Sequence, residues 1–277
     1  MPKIKLIILS LLLVTTGCAT TQETETTVQH DNTDSTLWFQ TAAEYRANAI
    51  QTYKMASMQL DTALNKGSWK GMLEQHQKAA SLPPAIVLDV DETVLDNSPF
   101  QAMMIKTNTE FSSAPWDAWV GMAQAKAVPG AVEFINMALE KGIAVVYLTN
   151  RECKQRPGVE DPCPQVKDTA KNLRDVGITS VDEDLVLLKY AKPEWTSEKQ
   201  SRRVYLADKY RVLMLFGDDF GDFLPNVKKD ITPEQRAKLV DKYRDNWGTS
   251  WYALPNPPYG SWRSILTGDK RSYLQDY

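Results

Sequence analysis

Residues 85–100 read AIVLDVDETVLDNSPF: an apolar run, Ala85 to Leu88 with Val90, interrupted and followed by Asp89, Asp91, Glu92 and Asp96. An apolar run without polar alternation indicates a strand buried on both faces, and such strands belong to parallel sheets covered by helices. Pro83-Pro84 marks its start. Beyond it the patterns alternate. Strands are expected at 85–90, 143–149, 185–189, 211–218 and 251–256. Helices are expected at 130–142, 164–177, 197–210 and 232–248, the last with Thr232 as N-cap and Pro233 in the first turn. The alternation predicts an α/β fold, a Rossmann-like three-layer parallel sheet.

In open parallel sheets, ligands bind at the carboxyl ends of the strands, where the strand order reverses. Asp89 and Asp91 end the first strand, Thr149, Asn150 and Arg151 end the second, and Asp218, Asp219 and Asp222 follow the strand that closes at Phe216-Gly217. Three clusters far apart in sequence are thus expected at one sheet edge. A calcium loop starting at Asp89 is excluded, because an EF-hand needs glycine sixth and glutamate twelfth, where this chain has Val94 and Phe100.

Residues 1–17 place Lys3 and Lys5 ahead of a short apolar stretch and small residues, the layout of a bacterial secretion signal. The stretch falls short of the roughly 20 residues of a bilayer helix. Gly17-Cys18 resembles a lipobox, which implies an acylated Cys18 (for example with palmitate) and a membrane anchor. With Ala19 following, the expected location is the bacterial outer membrane, periplasmic or surface-facing, or the cell membrane in a Gram-positive cell. Residues 18–36, rich in Thr, Glu, Gln and Asp, are expected to be a flexible tether. Trp38, Ala42, Tyr45, Ala49, Ala56, Leu60 and Leu64 recur at helical spacing, predicting a helix over 37–66 that opens a single domain, 37–277.

The chain has 32 basic and 35 acidic residues, and removal of 1–17 leaves 30 against 35. This balance and the absence of a basic run argue against a nucleic-acid polymer as partner. Cys153 and Cys163 lie in a polar, proline-containing loop, and in an oxidising compartment they are disulfide candidates, with two free thiols the alternative.

Together, LDVDET after one strand, YLTNR after the next, Lys199 on a later helix and GDDFGDF after a further strand resemble the four motifs of the haloacid dehalogenase phosphotransferases. The resemblance implies that Asp89 is a nucleophile that forms an aspartyl phosphate. It also implies one Mg²⁺ per subunit, held by Asp89, the backbone carbonyl of Asp91 and Asp218, with Thr149, Asn150 and Lys199 (or Lys192) on the phosphate and Asp222 in support. The cation has a physical reason, since two unit charges 4 Å apart at an effective dielectric near 20 repel by about 4 kcal/mol. Asp91 would be the general acid/base, protonating the leaving oxygen and later accepting a proton from water. Such an acid predicts an activity that falls as pH rises. Glu92 is expected to turn away from Asp89 and Asp91 by strand alternation, and Asp96 and Asn97 to shape a turn.

The lipobox-type Cys18, DVDETVLDNSPF, Trp116 with Trp119, AVPGAVEF, TNR and LPNPPYGSW narrow the resemblance to the class C acid phosphatases, the four-aspartate family that includes 5′-nucleotidases. It implies a small, mainly helical cap over 98–127 and substrate stacking between Trp116 and Tyr259. The expected substrate is a small phosphomonoester such as a nucleoside 5′-monophosphate or nicotinamide mononucleotide, and a homodimer is an implied state. The alternative is a lipid-anchored haem or nucleotide receptor on a phosphatase fold.

Overall fold

The structure, a computed structural model, describes residues 31–277. The expected signal over 1–17, Cys18 and most of the 18–36 tether lie outside the described residues. In chain order the main elements are α1 (Thr33–Thr41), α2 (Ala43–Asn65), β1 (Pro84–Leu88), β2 (Leu95–Asp96), α3 (Ser98–Thr107), α4 (Ser113–Met122) and β3 (Lys126–Ala127). They continue with α5 (Ala131–Glu140), β4 (Ala144–Glu152), α6 (Gln165–Asp175), β5 (Val186–Lys189), α7 (Gln200–Ala207), β6 (Arg211–Gly217), α8 (Pro233–Lys242), β7 (Trp251–Ala253) and α9 (Ser261–Ser264).

Among the described residues, five parallel strands form the main sheet in the order β5-β4-β1-β6-β7. The chain moves outward from β1 to β4 and β5, then crosses back to β6 and β7. The order reverses at β1, so the carboxyl end of β1 opens into the crevice where parallel sheets bind ligands. Alternate residues of β1 serve two cores. Ile86 and Leu88 pack with α2, α5 and α6 side chains such as Leu60, Phe134 and Leu173. Ala85 and Val87 pack on the other face with Leu206 of α7, Phe223 and Trp251. Burial on both faces is why the strand is apolar throughout.

Two N-terminal expectations need correction. The end of the 18–36 tether is helical from Thr33, with Thr36 buried. The helix expected over 37–66 is two helices, broken at Ala42, whose backbone is extended (φ −74°, ψ 128°). The break brings Phe39 and Tyr45 together, with ring centroids 4.1 Å apart. On one straight helix these positions would face away from each other, since only residues three or four apart are neighbours. The helices expected over 197–210 and 232–248 are shorter, Gln200–Ala207 and Pro233–Lys242. Over 98–127 lie α3, α4 and β3, and β3 pairs antiparallel with β2, which precedes α3.

Candidate active site

Asp89 stands just beyond β1, and its amide donates to the Phe216 carbonyl of β6 at 3.0 Å, so a sheet hydrogen bond fixes its position. Its buried carboxylate accepts a hydrogen bond from Lys199. Lys199 occupies the N-cap position of α7 and also pairs with Asp222 at 2.6 Å. Lys192, the other lysine considered, instead lies over the rings of Trp195 and Tyr205 at 4.7 and 4.2 Å. Asp222 belongs to a short turn after β6, where its Oδ2 accepts the Asp219 amide at 3.0 Å. A Cβ at Gly217 would come within 2.1 Å of that Oδ2, so only glycine lets the carboxylate fold back against the strand end.

Among the described residues, the hydrogen-bond donors to Asp218 are neutral: Thr93 Oγ1 at 2.9 Å and Asn256 Nδ2 at 2.8 Å. Carboxylate oxygens of Asp89, Asp218 and Asp222 all lie within 4.8 Å of one another. Burial pushes the Asp89 carboxyl up to about 7 despite Lys199, with Asp222 and Asp91 adding to the rise. Burial, then Asp89 and Asp222, push Asp218 well above the carboxylate range. Three buried acids face one ammonium. This excess of negative charge is what a divalent cation relieves, and an all-oxygen donor set suits Mg²⁺. The residues present therefore fit the metal implied by the sequence.

Asp91 sits beside the cavity in a cage of donors: Asn97 Nδ2 at 2.9 Å, Thr149 Oγ1 at 3.2 Å and the Arg151 guanidinium at 2.8 and 3.0 Å. Thr149 thus holds Asp91 rather than lining the cavity. Asn150, expected on the phosphate, lines the cavity, but its side chain bonds the Ser197 carbonyl and accepts from Arg202. It ties the end of β4 to the segment carrying Lys199. Buried Arg202 reinforces that tie by donating to the Thr149 and Leu187 carbonyls.

Strand alternation does not place Glu92, and it does not part it from Asp91: the same Asn97 Nδ2 donates to Asp91 at 2.9 Å and to Glu92 at 3.5 Å. β1 has already ended, and the Val90 carbonyl accepts the amides of both Val94 and Leu95, so the chain turns tightly with Glu92 at φ +60°. The buried Glu92 carboxylate accepts the Asn97 amide at 2.8 Å and the Tyr259 hydroxyl. Burial, with Asp91 next, pushes Glu92 up to about 8. Asp96 caps the start of α3 by accepting the Ser98 amide at 2.8 Å.

Above the carboxylates opens a cavity of about 540 Å³ whose lining includes Trp116, Tyr259 and Phe111, within the usual span of small-molecule sites. Trp116 has two roles: it walls the cavity and packs edge-on against Phe100, with centroids 5.1 Å apart. Trp119 reaches the frame from the same helix, donating to Asn97 Oδ1 at 2.7 Å. Cys153 and Cys163 are joined as a disulfide, with Cα atoms 4.8 Å apart. Between them Arg156 clamps Asp117 of α4 at 2.9 Å and Asp168 of α6 at 2.5 Å.

Sequence reasoning assigned no role to Arg151, Arg202, Thr93, Asn97 or Asn256 in holding the acids. Arg151 had a signal, because it ends β4 beside Thr149. Asn256 stands in LPNPPYGSW, but its partner Asp218 is set by the pairing of β7 with β6 and could not be read from the motif.

The family model described as HAD superfamily, subfamily IIIB (acid phosphatase) matches residues 13–262. Two solved structures of the class C acid phosphatase from Bacillus anthracis, one with tungstate bound, are each 31% identical to the chain, with TM-scores of 0.74 and 0.73. Each comparison covers 88% of this chain and 96% of theirs. The stem 31 kDa glycoprotein of Glycine max is 26% identical over 177 residues, 62% of this chain and 58% of that protein. The sheet, the acidic centre at its reversal point and these matches agree, and the chain belongs to the acid phosphatases of the HAD superfamily, subfamily IIIB, enzymes that hydrolyse phosphomonoesters.

Proposed function

We propose that the protein is an exported, lipid-anchored, Mg²⁺-dependent acid phosphatase acting on nucleoside 5′-monophosphates or nicotinamide mononucleotide through an aspartyl phosphate. The observation that carries this reading is the acidic centre of Asp89, Asp218 and Asp222 beneath a cavity walled by Trp116 and Tyr259. Asp89, Asp218 and the Asp91 carbonyl would hold Mg²⁺, whose charge offsets the repulsion between an anionic nucleophile and an anionic ester. Asp89 attacks phosphorus, Lys199 neutralises charge beside it, and Asp91 gives its proton to the leaving oxygen. Asp91 then accepts a proton from the water that releases phosphate. Trp116 and Tyr259 would stack the base, with Glu92 holding the Tyr259 hydroxyl.

Export and anchoring through Cys18, in the outer membrane of a Gram-negative cell, rest on the sequence alone, as does a homodimer. Among the described residues no helix is long and apolar enough to cross a membrane. Labelling with a clickable fatty acid tests the anchor, and a Cys18→Ser protein that still takes up label would sink it.

The test of function is phosphate release from nucleoside monophosphates, nicotinamide mononucleotide and an aryl phosphate, with and without Mg²⁺. Wild type should turn over only with the metal, and Asp89→Asn should be inactive. Equal turnover by Asp89→Asn would refute the nucleophile. The aromatic cavity would equally suit a nucleotide or haem receptor, and a wild type that binds but never releases phosphate would select that reading.

A further inference from the structure

Arg151 makes three contacts that no catalytic assignment above uses. Its Nε and Nη2 both donate to Asp91 Oδ1, at 3.0 and 2.8 Å, with Nε also 3.3 Å from Oδ2; its Nη1 donates to Thr169 of α6 at 3.1 Å, and its guanidinium carbon lies 6.0 Å from the centre of the Trp116 ring. The side chain is almost fully buried, at 2% exposure, and Thr169 is at 0%. A planar fork anchored at its far end can hold a carboxylate in one orientation, which a flexible ammonium cannot. Asn97, itself held by Trp119, donates to the same Oδ1 at 2.9 Å, while Thr149 holds Oδ2 at 3.2 Å. The proton carrier is therefore fixed between β4 and the cap helix that supplies the leaving-group wall.

We propose that Arg151 is the positioning residue that aims Asp91 at the leaving-group oxygen, an inference that rests on the general-acid reading of Asp91. In the step concerned, an Asp89 oxygen forms a bond to phosphorus while the bond from phosphorus to the ester oxygen breaks. The bonding pair stays on the ester oxygen, which takes the Asp91 proton and departs as an alcohol. In the second step a water oxygen bonds to phosphorus, Asp91 recovers a proton and the bond to Asp89 breaks. Only the first step depends on how much the leaving group needs a proton.

The measurement is kcat/KM, which reports steps through the first irreversible one, for glycerol 2-phosphate and for p-nitrophenyl phosphate. The nitrophenolate leaves readily without a proton, and the glycerol alkoxide does not. Because general acid catalysis contributes about 10²–10⁴-fold, Arg151→Met should lower kcat/KM for glycerol 2-phosphate by about 10²-fold and for p-nitrophenyl phosphate by less than about fivefold. Arg151→Lys, which keeps the charge, should recover part of the loss. Equal losses on both substrates, with weaker inhibition by inorganic phosphate, would make Arg151 a direct phosphate ligand and overturn the proposal. Should Arg151→Met fail to fold, Arg151→Lys decides alone, and an alkyl-to-aryl ratio equal to wild type overturns the inference. Asp91→Asn is the separate control. Its loss must be selective for the alkyl ester, and a variant that discriminates against neither substrate would remove the acid itself, and the inference with it.

Discussion

A single ammonium, that of Lys199, stands between two buried carboxylates. Burial opposes its charge, but Asp222 and Asp89 outweigh that and raise its affinity for the proton. Removing one partner of a buried ion pair costs about 3–5 kcal/mol, so Lys199→Met should melt well below wild type. Excess Mg²⁺ should raise the melting temperature of Lys199→Met more than that of wild type, because a cation now has more uncompensated charge to relieve. Thermal melting with and without the ion checks this, and equal shifts would contradict the shared-charge account. Asp89, Asp91 and Asp218 are legible in the sequence because each closes or follows a continuous apolar run. Lys199 is legible only through motif order, and the geometry separates it from Lys192. Glu92 is misread by strand periodicity because the chain leaves the strand one turn earlier than its apolar pattern suggests.

At the scale of elements, α4 is tied to α6 by Arg156, which is carried on the disulfide loop. Partial burial pushes the Asp117 carboxyl up, but hydrogen bonds from Arg156 and Gln165 more than reverse this and leave it below its ordinary value of 3.8. Because the folded value is the lower one, the stabilisation is complete above the unfolded value and is lost as pH falls through the folded one. The melting gap between wild type and Arg156→Gln should therefore be widest near pH 6 and narrow below about pH 4. A gap that widens on acidification would contradict the clamp. Replacing both Cys153 and Cys163 by serine should cost about 2–3 kcal/mol of stability for a loop this short, leaving metal dependence unchanged. Denaturant unfolding and a Mg²⁺ titration of activity test the two halves. The paired tryptophans of α4 are visible in the sequence, but the residue that anchors the helix is not. Arg156 reads as one more surface charge until the loop is closed over α4.

For the molecule as a whole, the two-sided sheet makes α2 part of the main core even though the chain reaches it before any strand. Leu60 is fully buried in the face shared with Ile86 and Phe216, and Leu60→Ala should destabilise by about 2–5 kcal/mol. Chemical denaturation measures this, and a cost under about 1 kcal/mol would place α2 outside the core. The alternation of strands and helices is written in local periodicity and so is legible. The break at Ala42 is not, because Ala42 fits the helical spacing and the contact of Phe39 with Tyr45 across the break is tertiary. The partners at the centre are also far apart along the chain: Asp89 meets Lys199 110 residues later, Thr93 meets Asp218 after 125, and Glu92 meets Tyr259 after 167. Such long loops close late in folding. A polypeptide made from its N-terminus thus carries Asp89 and Glu92 long before it carries their partners, and the centre is complete only once the chain has reached Tyr259.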